Sequence, residues 1–192
     1  KRNDTGQMKR ILDASLPKEG EPLRDWQAVV IGGGIINGIS QRPPYWPAER
    51  IAEVIGDDAA LRKRWERSLE LSSAMADDEK VKPGTRYDAL RMLGAEPWDK
   101  RGQQLVRYLS DKNAELQMGA VSGLADVNAP QATAALLEAT PTLTEGNRTL
   151  ALNALLRDAP RRAALREAIA AGKLDASMLD PEMQKRLAST AP

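Results

Sequence analysis

Ala89, Ala120 and Ala151 stand 31 residues apart, as do Leu90, Val121 and Leu152, and as do Leu93, Leu124 and Leu155. Self-similarity at a period of roughly 30–50 residues marks a repeat architecture in which one helical hairpin stacks on the next. The small residues have a physical reason, because stacked helices approach to about 8–10 Å only where the facing side chain is short. The Leu and Val positions beside them supply the buried area, at roughly 1.5–3 kcal/mol per fully buried side chain. The period therefore predicts an all-α, right-handed α–α superhelix. It favours a docking surface over a buried catalytic pocket.

The spacing predicts three hairpins within residues 85–172. First helices are expected over 86–95, 115–126 and 148–157, and second helices over 98–109, 131–140 and 160–171. Leu105 and Val106 repeat as Leu136 and Leu137, whereas the turn leading to Leu165 is shorter, so the third unit reads as terminal. Asp111-Lys112-Asn113 and Asp126-Val127-Asn128 fit N-caps of the helices that follow. A tail covers 173–192, with a short helix at 181–188. Residues 1–84 read as a divergent, irregular helical cap on the same single domain. It holds helices at 7–15 and 23–40, the latter stopped by Pro43 and Pro44. A helix started by Pro47 and closed by Gly56 comes next. The last helix of the cap, N-capped by Asp57 or Asp58, carries Leu61, Trp65 and Leu69. It is expected to fray over 76–80 before a break at Pro83-Gly84.

Absences narrow the chemistry. The 192 residues include no Cys, His or Phe, and the formal net charge is +1. Disulfides, thiolate nucleophiles, imidazole bases and Cys or His metal ligands are thereby excluded from this chain. The near-neutral balance gives no general attraction to nucleic acid or acidic membranes. No run of about 18 apolar residues is present to span a bilayer. A first residue of Lys rather than Met points to a processed chain or a piece of a longer polypeptide.

The run from Asp111 to Val121, with its turn, small residues and apolar residues, resembles the turn and first helix of HEAT repeats, and the likeness covers residues 85–172. A basic residue common in that helix is Gln117 here, while Arg86 and Arg148 hold the place in the other units. The segment Leu165 to Leu174, followed by Leu179 and Leu187, together with Trp26 to Ser40, is similar to the helical-repeat region of large exported bacterial proteins. In that family a sugar-dehydrogenase-like β-propeller precedes the repeats and a c-type haem domain follows them. The resemblance implies a non-catalytic, periplasmic or exported connector or protein-interaction module with no cofactor of its own. The chain carries no Cys-x-x-Cys-His for haem attachment.

Several segments invite sharper readings. Val29 to Ser40 contains Gly32, Gly33, Gly34 and Gly38 and resembles the dinucleotide fingerprint of flavin enzymes, which requires a strand at 28–31. Its spacing departs from the fingerprint at Asn37, and the other reading is a helix whose glycines admit a close neighbour. Trp26, Tyr45, Trp46 and Trp65 either fill the cap or form a docking groove, with Tyr45 and Trp46 the most exposed. Arg161, Arg162 and Arg166 could line one face of the last hairpin for a protein partner. With Lys173, or with Arg62, Lys63, Arg64 and Arg67, such a face could instead track nucleic-acid phosphates. Against that stands an ordinary charged surface interleaved with Glu66, Glu70 and Glu167. The acidic groups Asp57-Asp58 and Asp77-Asp78-Glu79 could meet a hard cation or simply end helices.

Overall fold

The computed structural model describes residues 5–41 and 46–189, and these residues are helical with no strand. Helix α1 (Thr5–Ser15) is followed by α2 over 25–40, which is α-helical at Asp25–Ala28, a π-helix over Val29–Ile36 and α-helical again at Asn37–Ser40. Then come α3 (Pro47–Ile55), α4 (Ala59–Asp77), α5 (Pro83–Leu93), α6 (Trp98–Tyr108), α7 (Ala114–Asp126) and α8 (Pro130–Ala139). The last three are α9 (Glu145–Leu155), α10 (Ala159–Ala170) and α11 (Pro181–Ala188).

Local chemistry sets the boundaries. Pro opens α3, α5, α8 and α11 at the first turn, where its missing N–H costs nothing. Asp58, Asn113, Asp158 and Asp180 accept from the first-turn N–H groups of α4, α7, α10 and α11. Gly56 and Gly172 end α3 and α10 with φ of 55° and 67°, a conformation that disfavours a side chain.

Two expectations need correction here. Pro83-Gly84 starts α5 rather than separating units. Residues 76 and 77 do not fray: Ala76 is fully buried, and the Ala76 carbonyl and the Asp77 carboxylate both accept from the Tyr108 hydroxyl, at 2.8 and 2.6 Å.

All nine repeated positions of the first helices are buried. Helix α7 lies between α5 and α9, and α8 lies between α6 and α10. In the N-terminal part α2 and α4 both pack on α5, and Gln104 on α6 donates to the Ser73 carbonyl on α4 at 3.0 Å. Contacts between neighbouring helices again fall 31 residues apart. Ser73 Oγ donates to Gln104 at 2.7 Å, Tyr108 donates to Asp77, and Arg157 donates to Asp126 at 3.1 Å. Glu70 and Arg101 form an ion pair at the same offset.

The position shared by Arg86, Gln117 and Arg148 has a common task. Each side chain donates to a carbonyl at the end of the preceding element, those of Ala76, Leu109 and Leu143, at 2.8, 3.1 and 3.1 Å. The Gln117 oxygen also accepts from Asn147 at 2.8 Å and from the Thr144 N–H at 3.1 Å, joining α7 to α9. A neutral amide can do both, whereas a guanidinium can only donate.

Two apolar cores meet on α5. One runs from Ala76 to Met183 through the three hairpins and α11. The other joins α1, α2, α3 and the first half of α4 to Met92 and Ala95.

Candidate functional site

The glycine segment is a packing device. Residues 28–31, where the dinucleotide fingerprint requires a strand, are helical. A Cβ on Gly32 would lie 2.2 Å from the Asp88 carbonyl oxygen, and one on Gly33 would lie 2.8 Å from the Asp88 carboxylate. The glycines thus let the widened π-turn rest on the backbone of α5. Gly38 faces open space.

Asp88 is enclosed by this contact. Burial, with a smaller push from Glu115 and against the pull of Arg91, raises its carboxyl from 3.8 to about 6. A raised folded-state pKa means that the folded chain holds the proton more tightly than the unfolded one. Asp88 therefore stabilises the fold when protonated, and that stability is lost as pH rises from 3.8 to about 6. Asp88→Asn is expected to remove this slope and to be more stable at pH 7 by about 1–2 kcal/mol, discounted for the solvent that reaches the carboxyl. Urea unfolding across that pH range checks it, and an unchanged slope in the variant would count against it.

The second locus lies where the end of α7 meets the start of α10. Asp126, expected to cap α8, does not do so. It is 2% exposed, with Arg157 at 3.1 Å and Arg91 at 3.7 Å. Burial pushes its carboxyl up, against the pull of Ser40, Arg91 and Arg157.

Arg161, expected on the surface, is 3% exposed. Its guanidinium donates to the carbonyls of Ala125 and Val127, each at 2.8 Å, closing the C-terminal end of α7. Burial lowers its pKa to about 10, so it stays charged at neutral pH. Trp46 covers this corner, with the Arg157 and Arg161 guanidinia 4.3 and 5.0 Å from its ring centre. Trp46 is thus held by the third hairpin rather than by the N-terminal core.

The other predicted surface residues are also largely engaged. Arg162 is buried and donates to the Leu156 carbonyl at 3.4 Å. Arg166 is exposed, but its Nε donates to the Leu187 carbonyl at 3.0 Å, fastening α11. Tyr45 lies outside the described residues. Trp65 fills the N-terminal core, and Trp26 stands 50% exposed on α2.

The basic run on α4 clamps the segment after α1. Arg64 donates to the Leu16 carbonyl at 2.8 Å, Arg67 donates to the Lys18 carbonyl at 2.9 Å, and Lys63 pairs with Glu19 at 3.0 Å. The acidic groups are likewise used: Asp58 caps α4 and pairs with Lys9 at 3.0 Å, and Asp77 binds Tyr108 and Arg107.

A groove missed by sequence reasoning runs between α8 and α10. One part, of about 560 Å³, is bounded by Trp46, Thr133 and Pro160. It continues past Ala134, Leu137 and Ala164 into a second part of about 800 Å³. Alanine, proline and leucine make up half of its lining and charged or polar residues most of the rest, so it offers an apolar strip with charged ends. The signal that marked it is the short side chains Ala134 on α8 and Ala164 and Ala168 on α10.

No known family model, curated protein or solved structure matches this chain. Among the described residues, no helix is long and apolar enough to cross a membrane, and no three acidic side chains group to hold a metal ion.

Proposed function

We propose that the chain is a HEAT-like, right-handed α-solenoid that serves as a non-catalytic scaffold and protein-interaction module. On this reading residues 1–84 form its divergent first unit and the tail caps its last. The observation that carries it is the pair of helix rows, α2-α5-α7-α9 and α4-α6-α8-α10, with lateral contacts recurring 31 residues apart. The open groove along the second row supports it too. So does the use of the glycines and arginines as internal fasteners, which leaves those groups committed to the fold.

The resemblance to repeat regions of exported bacterial proteins extends the proposal. The chain then connects a propeller and a c-type haem domain in a periplasmic polypeptide, positioning them through docking contacts. Calorimetry tests this. Mixed separately with the segments that flank it in its parent open reading frame, the chain is expected to bind at least one, with Kd in the micromolar range. Absence of binding to either flank would overturn the connector role.

A further inference from the structure

We propose that the groove between α8 and α10 receives an amphipathic helix whose apolar face carries a Lys or Arg at one end. The proposal rests on the docking-module reading and names the partner's chemistry.

The groove is continuous over the length of α8, because Ala134, Leu137 and Ala164 line both of its parts. Ten residues of α8 span about 15 Å, which matches roughly three turns of a bound helix. Short side chains on both walls let a third helix approach as closely as helices pack inside the protein.

The two ends of the groove differ electrically. Asn128, Pro130, Asp158 and Pro160 gather at one end, and Glu138, Glu167, Ala171 and Lys173 at the other. Helices α8 and α10 therefore run side by side in the same sense, and both have their C-terminal ends at the second end of the groove. Two helix C-termini carry partial negative charge, and the exposed Glu138 and Glu167 stand on opposite walls there. Lys173 offsets only part of this. At the first end the charges are already matched, since Arg161 faces Asp158 at 3.6 Å and donates to backbone carbonyls. Arg166 is drawn away to Leu187. The unmatched potential is negative and confined to one end, which selects a cation on the incoming helix.

The test uses the whole chain and two fluorescently labelled helical peptides. Each is 14 residues long with a Leu/Ala face. One carries Lys at both ends and the other carries Glu in the same places. Anisotropy at low salt is expected to show the Lys peptide binding at least tenfold more tightly than the Glu peptide. Ala134→Trp, which fills the groove from an exposed site, is expected to abolish binding. Glu138→Lys with Glu167→Lys is expected to weaken it about tenfold without changing Tm. Equal affinity for the two peptides, no binding of the Lys peptide, or binding untouched by these variants would each overturn the proposal. If the natural flanks bind in calorimetry while neither peptide does, the groove assignment fails and the scaffold reading stands.

Discussion

Gly32→Ala is expected to lower the unfolding free energy by about 3 kcal/mol, the upper part of the usual cost of overpacking. The added methyl would sit 2.2 Å from the Asp88 carbonyl oxygen, and that atom belongs to the backbone of a buried helix. Neither α2 nor α5 can yield without opening the contact that joins the N-terminal part to the hairpins. Alanine's better helix propensity returns at most about 1 kcal/mol. Gly38→Ala is the control on the same helix. It meets nothing within 4 Å, so it is expected to stabilise by about 0.5–1 kcal/mol. Urea unfolding of the two variants gives opposite signs if the glycines serve packing. Equal changes would remove that account.

Asp126→Ala is expected to cost about 3–5 kcal/mol, because it strips the carboxylate from the buried Arg91 and from the largely covered Arg157. Arg91 and Arg157 both lie within 4 Å of Asp126, at 3.7 and 3.1 Å. Their charges would remain in a site from which water is largely excluded. Adding Arg91→Met and Arg157→Met to Asp126→Ala is expected to recover most of the loss, since apolar groups of similar length need no partner. A triple variant no more stable than Asp126→Ala would show that the cost comes from the cavity rather than from the orphaned charges. A double-mutant cycle between Asp126 and Arg157 separates the pair from its surroundings.

The hairpins were legible because each of their determinants is local. Ala89, Leu90 and Leu93 recur at a fixed offset, and Asn113 caps its helix within its own turn. The helix limits moved by only a few residues, and the tail helix fell at its expected place. The long-range fasteners were not legible. Arg161 reads as a surface residue because its neighbours are charged, yet it closes the end of a helix from the preceding unit. Asp126 fits an N-cap by its spacing, but Ala129, three residues on, occupies the N-cap of α8, which has no side-chain cap bond. Its true partner, Arg157, is 31 residues on, so the period itself contained the pairing. Trp46 shares no such offset with Arg157 and Arg161, and nothing in its own segment points to them. The glycine run was ambiguous for a different reason. A Gly-rich apolar segment suits both a phosphate turn and a tight helix crossing, and only the neighbour, Asp88 on α5, decides between them.

The stacked order of the helices is the central claim, and a chain with no cysteine allows it to be measured cleanly. Tyr87, Met118 and Thr149 stand 31 residues apart on α5, α7 and α9, and none is buried. Single cysteines placed there in pairs can carry spin labels for electron-electron distance measurement. Adjacent helices pack about 8–10 Å apart, so the 87–149 distance is expected to be longer than the 87–118 and 118–149 distances by about that much. An 87–149 distance equal to or shorter than either neighbouring distance would contradict the stack.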